Sequence, residues 1–158
     1  MAIRIIKADI ATLDVDAIVN AANEQLIPGG GVDGAIHDVA GPLLAEECST
    51  LNGCLYGEAK ITKGYNLPAK HVIHTVGPVY GQHDGNEADI LYSCYYESLR
   101  LAENNKVKTI AFPEISTGIY GYPIEEARIT ANQAVTDYFK DTPSSNIEHV
   151  YLVIFNSA

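Results

Sequence analysis

Two residues with side chains suited to acid–base chemistry, Asp33 and His37, stand four positions apart, directly after three glycines at 29–31. On a helix this spacing places both side chains on one face, about one turn apart. There they can act together on a substrate or a water molecule. A structural explanation is equally open, because the helix dipole favours a first-turn carboxylate by about 0.3–1 kcal/mol. A histidine one turn later can likewise be an ordinary hydrogen-bonded polar group.

The three glycines are typical of loops that bind phosphate through backbone N–H groups at a helix start, although a tight connection explains them too. No lysine follows them, as it would in a P-loop, and the segment AANEQLIP separates GGGVDG from its strand. A nicotinamide-binding fingerprint is therefore a poor match. A second glycine-bearing loop, EISTGIYGYP at Glu114–Pro123, also leads into a helix. Two such loops at one sheet edge can grip two adjacent phosphates.

Other polar residues stand near predicted strand ends, and each has a structural alternative. Asn20 and Asn23 flank two alanines, and turn chemistry explains them, although the small alanines leave room for a ligand. Asp9 follows the strand IRIIKA, where it can cap a turn or accept from the exocyclic amine of a base. His71 and His74 lie in an apolar strand and are expected to be core or strand-face histidines.

The elements that must position these residues alternate between strands and helices. The patterns predict strands at Ile3–Ile6, Ala17–Val19, Glu58–Lys63, His71–Val76, 107–113 and 149–155, and helices from about Val32, at Pro42–Thr50, Glu87–Asn104 and Ile124–Lys140. This alternation with near-continuous apolar strands indicates an α/β fold whose largely parallel sheet is covered on both faces. In such sheets, ligands bind at the loops beyond the carboxyl ends of the strands.

Length and composition limit the classes of protein. The 158 residues, 47% of them hydrophobic, suit one domain with a full core. A net charge of −10 argues against strong direct binding to nucleic acid or anionic membranes. An anionic small ligand would have to be held by backbone N–H groups and helix N-termini rather than by lysines.

The three cysteines form no C-x-x-C pair, so neither a disulfide framework nor a thiolate zinc site is predicted. We expect buried, reduced thiols and a cytoplasmic location. No apolar run approaches the roughly 18 residues of a membrane span. The start, MAIRIIKADI, lacks the apolar region and cleavage site of a signal peptide.

Three segments together resemble the macrodomain family, and within it the MacroD-type branch. They are NAANEQLIPGGGVDGAIHDVAG, GYNLPAKHVIHTVGPVY and FPEISTGIYGYP. The resemblance runs from about Ile3 to Phe155, and the first and third segments fall at loop positions that agree with the predicted strands. It implies a three-layer α/β/α fold with a mixed, largely parallel central sheet, forming a single domain over residues 1–158.

The resemblance also implies a function. It implies a cleft for ADP-ribose and an enzyme that removes mono-ADP-ribose from acidic side chains of proteins. Members of this branch are similarly able to deacetylate O-acetyl-ADP-ribose. The implied partners are thus ADP-ribose, mono-ADP-ribosylated proteins and O-acetyl-ADP-ribose, and no metal or other cofactor is implied.

Matching positions carry the roles of the family's site residues. Asp9 would accept from the adenine amino group, and Ile10 would supply a backbone contact. Asn23 would bind the distal ribose and belong with Asp33 and His37 to the catalytic set. Phe155 matches more loosely an aromatic residue that packs beside the adenine. The two pyrophosphate loops would comprise Gly30, Gly31 and Val32, and Ser116, Thr117, Gly118, Ile119 and Tyr120, with Tyr120 against the distal ribose.

The hydrolysis would develop positive charge on the distal ribose, which a carboxylate stabilises while orienting a water. Asp33 is the candidate for this role. In an alternative, the phosphate of the ligand positions the water and Asp33 mainly holds the ribose. A reader module without turnover, an RNA-associated regulator and a dedicated O-acetyl-ADP-ribose deacetylase are the rival functions.

Two features depart from the family pattern. The chain stops at VIFNSA, where the family usually continues into another helix, so one sheet face is expected to be partly uncovered. Glu114 stands where a small residue is more usual, and it adds negative charge beside the second loop.

Overall fold

One mixed sheet forms the centre of the computed structural model, which describes residues 2–155. Its strands are β1 (Ala2–Ala8), β2 (Ala17–Ala21), β3 (Ala59–Lys63), β4 (His71–Thr75), β5 (Thr109–Phe112) and β6 (His149–Phe155), in the spatial order β1-β6-β5-β2-β4-β3. Every neighbouring pair is parallel except β3 with β4. The carboxyl ends of β1, β2, β4, β5 and β6 therefore share one edge of the sheet.

Helices cover both faces of this sheet. Helices α1 (Gly31–Ala40) and α2 (Pro42–Ser49) pack on one face, and α3 (Glu87–Asn104) and α4 (Ile124–Asp141) pack on the other. Ile18 belongs to the core under α1 and α2, whereas Ala17 and Val19 belong to the core under α3 and α4, and all three are fully buried. Burial on both faces explains why the strands read as continuous apolar runs. The expected three-layer α/β/α arrangement is confirmed.

Glycine and proline set the junction between the first two helices. Gly41 follows the last residue of α1 with φ of +85°, a left-handed conformation that glycine adopts without strain. Pro42 then opens α2, where its missing N–H would have had no helical partner. The turn holds α1 and α2 against the same sheet face, with the first turn of α1 at the sheet edge where the parallel strands end.

The predicted elements agree with the observed ones to within a few residues. The largest differences are in β1, predicted at Ile3–Ile6 and observed at Ala2–Ala8, and in β5, predicted over 107–113 and observed at Thr109–Phe112. At the start of β5, the backbone N–H groups of Lys108 and Thr109 donate to the carboxylate of Asp16, at 2.8 and 3.3 Å, instead of to a neighbouring strand. Residues 156–158, on which the expectation about the chain end bears, lie outside the described residues.

The sheet is unevenly covered near β1. Ile5 is 64% exposed and lines, with Leu152 and Ile154, an open apolar groove beside α4. The three thiols, in contrast, are buried and free, as predicted. Burial raises the pKa of the Cys54 thiol to about 11, which keeps it protonated and unreactive. No helix within residues 2–155 is long and apolar enough to cross a membrane.

Candidate functional site

A cleft runs along the sheet edge where the parallel strands end. Its inner chamber, with a cavity volume of about 230 Å³, is lined by Asn23, residues 29–33 and residues of the loop after β5. Its outer chamber, with a cavity volume of about 360 Å³, lies against the end of β1, Ile10 and Phe155. Four residues line both chambers, so the cleft is continuous; they are Gly31, Val32, Glu114 and Gly118.

The first loop presents backbone rather than side chains to the cleft. Gly30 caps the N-terminus of α1, and Gly31 begins it with φ of +58°. A Cβ atom on Gly34 would lie 2.6 Å from the carbonyl oxygen of Gly29, so the loop packs tightly on its own helix. The unpaired N–H groups of a first helical turn carry partial positive charge, which suits an anionic ligand.

Asp33 is fixed on the inner side of this loop and is only 5% exposed. Its Oδ2 accepts from the backbone N–H of Gly29 at 2.9 Å, and its Oδ1 accepts from the side-chain amide of Asn20 at 2.8 Å. A buried carboxylate is stable when donors of this kind surround it. Asp33 is therefore held in one orientation at the wall of the inner chamber.

His37 lies one helical turn further along α1, with Nε2 3.3 Å from Oδ1 of Asp33. The predicted pairing of these residues on one helix face is confirmed. His37 is 9% exposed, and its Nδ1 is buried without a hydrogen-bond partner among the described residues. The ring thus steadies the carboxylate through one nitrogen.

Asn20 was not selected from the sequence, where turn chemistry accounted for it. The structure instead places Asn20 in β2, fully buried, with its amide on Asp33. His74 of β4 lies on the other side of this amide, 3.1 Å from it. His74 is buried, as expected of a core histidine, but it contacts the site. The register of β2 against β4 pairs these residues, and no local sequence pattern carries that register.

Asn23 follows β2 at the mouth of the inner chamber. Its Oδ1 accepts from the backbone N–H of Ile27 at 3.1 Å, and its Nδ2 donates to the carbonyl of Ile27 at 2.8 Å. The side chain therefore braces the loop that carries Gly29. An amide nitrogen has two N–H groups, so one is left to face a ligand. Its role toward a ribose stays a prediction.

The second loop, between β5 and α4, forms the opposite wall of the cleft. Ser116 has φ of +68° and is 7% exposed, and its carbonyl accepts from the N–H of Tyr122 at 2.9 Å. A Cβ atom on Gly77 would lie 2.2 Å from Oγ of Ser116, so only glycine fits beneath this loop. Ser116, Gly118, Ile119 and Tyr120 line the inner chamber, and Thr117 and Gly118 line the outer one. The predicted loop residues thus lie together at the cleft.

The unexpected charge of Glu114 has a partner. Oε1 of Glu114 lies 3.1 Å from Nη2 of Arg128 on α4, and Oε2 lies 3.3 Å from its Nε. Glu114 lines both chambers, so this fork-shaped pair offsets a negative charge at the centre of the cleft. The glutamate raises the pKa of the Arg128 guanidinium through this hydrogen bond.

Two of the three residues that were predicted for the adenine end, Ile10 and Phe155, line the outer chamber, whereas Asp9 does not. Asp9 caps a short 3-10 helix, Ile10–Thr12, and its Oδ1 accepts from the N–H of Ala11 at 3.0 Å. Ile10 is buried against the chamber wall, and Phe155 at the end of β6 is 57% exposed there. The turn-capping role of Asp9 is thus observed, and its contact with a base stays a prediction. Within residues 2–155, no cluster of His, Cys, Asp and Glu is suited to a metal ion.

Comparisons with known proteins agree with this geometry. The family model described as Macro domain matches residues 19–131. A Macro domain-containing protein of Methanosarcina mazei is 57% identical over 154 residues, which cover 98% of this chain and 81% of that protein. The ADP-ribose glycohydrolase MACROD2 of Homo sapiens is 51% identical over 150 residues, which cover 94% of this chain but only 34% of that longer protein.

A solved structure shows the same fold with a ligand. The Trypanosoma brucei macrodomain in complex with ADP-ribose superimposes with a TM-score of 0.89 and 44% identity, covering 96% of this chain and 62% of that one. The sequence relationship, the fold and the cleft all lead to one assignment: the chain belongs to the macrodomain family, in its MacroD-type branch.

Proposed function

We propose that this chain binds ADP-ribose in the cleft and hydrolyses the bond between ADP-ribose and acidic side chains of modified proteins. The observation that carries the proposal is the position of Asp33, whose carboxylate is held directly behind the glycine loop at 2.9 Å from the N–H of Gly29. The human relative named an ADP-ribose glycohydrolase and the solved complex with ADP-ribose support this function.

The cleft suits the parts of ADP-ribose in order. The pyrophosphate lies between the two loops, where the N-terminus of α1 and the glycines of both loops offer backbone N–H groups. The distal ribose occupies the inner chamber and the adenine the outer chamber. This arrangement binds an anion without a lysine or arginine in contact with it, which fits a chain of net charge −10.

The reaction replaces one bond at the anomeric carbon of the distal ribose. The carbon–oxygen bond to the protein carboxylate breaks, its electron pair leaves with that carboxylate, and a water oxygen bonds to the carbon. The sugar carries positive charge in the transition state. Asp33 stabilises this charge and orients the water. The water gives up its proton to the carboxylate of Asp33, which passes it on to solvent. His37 and Asn20 keep Oδ1 of Asp33 in place, and the N–H of Gly29 keeps Oδ2 in place.

The leaving group favours ester over ether substrates. A carboxylate leaves as a stable anion and needs no general acid, whereas a serine linkage would expel an alkoxide that must be protonated as it departs. One positioned carboxylate and a backbone cradle are sufficient for the ester. O-acetyl-ADP-ribose is also an ester that the cleft can hold, and we propose its deacetylation as a second activity.

The alternative function is that of a binding module, which recognises ADP-ribose without hydrolysing any bond. Asp33 and His37 favour an enzyme, because a binding module has no need of a carboxylate that repels an anionic ligand. In the alternative mechanism, the ligand phosphate positions the water, and Asp33 then holds the ribose. The buried, unreactive thiols support a reducing, cytoplasmic-type setting, which stays a prediction.

The deciding experiment incubates the protein with three substrates: a protein mono-ADP-ribosylated on Glu or Asp, one modified on Ser, and one modified on Arg. We expect release of ADP-ribose from the acidic linkage alone. Binding of free ADP-ribose without release from any substrate would support the reader. Release of acetate from O-acetyl-ADP-ribose, measured in parallel, tests the second activity.

A further inference from the structure

Asn20 and His74 form a buried pair behind Asp33, on the side away from the cleft loop. They are register partners on the parallel strands β2 and β4, and they are 0% and 1% exposed. Nδ2 of Asn20 lies 2.8 Å from Oδ1 of Asp33 and 3.1 Å from Nδ1 of His74. A continuous chain of polar contacts thus runs from the sheet interior to the candidate catalytic carboxylate.

The orientation of the Asn20 amide follows from its neighbours. A carboxylate accepts hydrogen bonds, so the amide must turn its NH₂ group, and not its oxygen, toward Asp33. The NH₂ group has two hydrogens. One goes to Asp33, and the other points to Nδ1 of His74, which must then be an unprotonated acceptor.

The contacts of Nε2, on the far side of the His74 ring, also indicate that Nδ1 is unprotonated. The hydroxyl of Thr62 donates to the carbonyl of Lys63 at 3.1 Å, so its oxygen can accept from Nε2–H of His74, at 3.0 Å. Sγ of Cys48 lies 3.7 Å from the same nitrogen and can also accept from it. His74 is then neutral, with its proton on Nε2. Burial lowers the pKa of His74 to about 4, which agrees with a neutral ring.

We propose that Asn20 and His74 are positioning residues for the hydrolysis, with the Nε2–H tautomer of His74 orienting the Asn20 amide so that it fixes Asp33. This proposal rests on the proposed function. Asp33 receives donors at both oxygens, Gly29 at Oδ2 and Asn20 at Oδ1. Without an acceptor at His74, the amide is free to rotate, and the carboxylate loses the donor that sets its plane.

Two substitutions of similar size separate positioning from packing. In His74→Asn, the side-chain oxygen lies near the former Nδ1 and can still accept from Asn20. In His74→Gln, the amide reaches the place of Nε2, keeps the contact with Thr62 and leaves Asn20 without an acceptor. We expect His74→Gln to lower kcat by about 10- to 100-fold, as misplacement of a reacting group does. His74→Asn should retain most of the wild-type kcat, and the Kd for ADP-ribose should change little in either variant.

A measurement on the wild-type protein keeps the test independent of variant stability. Nitrogen-15 NMR of the histidine rings distinguishes the two tautomers, and we expect His74 to carry its proton on Nε2. A proton on Nδ1 would overturn the proposal. Equal losses of kcat in the two variants, at equal thermal stability, would overturn it too. If the wild-type protein releases no ADP-ribose, the proposed function fails, and the positioning role fails with it, whatever the tautomer.

Discussion

The backbone N–H of Gly29 donates to Oδ2 of Asp33 across 2.9 Å, which ties the carboxylate to the same loop that faces the cleft. A negative charge beside an anion-binding loop would ordinarily weaken binding. Here the carboxylate shares its charge with donors on its own side, Gly29 and Asn20, and with the His37 ring at 3.3 Å. The carboxylate therefore lies at the inner chamber, which is proposed for the distal ribose, with its negative charge partly offset by these three neighbours.

Substitution of Asp33 should separate catalysis from binding. Asp33→Asn keeps the shape of the side chain but removes the charge, so we expect kcat to fall by about 100-fold or more. The Kd for ADP-ribose, measured by calorimetry, should stay within a few-fold of wild type or become lower. Asp33→Ala should also lose turnover, with some loss of affinity because the Gly29 loop is no longer anchored. Wild-type turnover in Asp33→Asn would show that Asp33 has no chemical role.

The two glycines at the start of α1 offer a matched test of backbone conformation. A Cβ atom would meet nothing within 4 Å at either Gly30 or Gly31, but only Gly31 has a left-handed φ, +58°. Gly31→Ala should therefore lower the free energy of unfolding by about 1–2 kcal/mol more than Gly30→Ala does. Urea unfolding curves of the two variants measure the difference. Equal stabilities would mean that the loop adopts another conformation in solution.

The pair of Glu114 and Arg128 should tune affinity for the anionic ligand. Arg128→Ala exposes the cleft to the uncompensated charge of Glu114, and we expect the Kd for ADP-ribose to rise by about two- to threefold, in keeping with a partly exposed ion pair. Glu114→Gln should lower the Kd for ADP-ribose, and the Kd of the double variant should return toward the wild-type value. Both shifts should shrink in high salt. An unchanged Kd in Arg128→Ala at low salt would show that the charge of Glu114 does not affect ligand binding.

His74 should make the fold sensitive to acid. Its pKa is lowered to about 4 by burial and by the nearby His37, whereas Asp33 and Glu47 oppose this shift. The unfolded chain therefore binds more protons than the folded one between pH 6.5 and 4. The contribution to stability is complete above pH 6.5 and is lost as the pH falls through this window, by about 3 kcal/mol in all.

The comparison with His74→Asn isolates this effect from the carboxylates that also titrate. The free energy of unfolding, measured by urea at pH 7, 5.5 and 4.5, should fall more steeply in the wild-type protein than in the variant. Parallel curves would mean that His74 is protonated alike in both states. The titratable groups near the ring are Glu47 and Cys48 of α2 and Asp33 and His37 of α1.

Local patterns were sufficient to predict most of the fold. Apolar strands buried on both faces read as continuous runs, and Pro42 and the glycines marked helix starts, so elements such as α3 agree with the prediction at both ends. The pairing of Asp33 with His37 was also predictable, because helical spacing alone brings them together.

The partners that reach the site across the sheet were not predictable in this way. The contact of Asn20 with His74 depends on the register of two strands separated by 54 positions, and no local pattern carries that register. The Glu114–Arg128 pair likewise depends on how α4 lies over the second loop. Asn20 resembled a turn residue because asparagine is common in turns, but burial in β2 gives its amide a different use.

The pairing of β1 with β6 also orders the assembly of the protein on the ribosome. Ala2 pairs with His149 and Ala8 with Phe155, so among the described strands β1 has no partner until β6 has been synthesised. At about 5–20 residues per second, β1 waits on the order of ten seconds. The nascent chain can form the α1 loop early, but the wall that joins Ile10 to Phe155 closes only at the end. A nascent chain that lacks β6 therefore lacks Val153 and Phe155 of the outer chamber, and we expect ADP-ribose to stabilise it less than the complete domain.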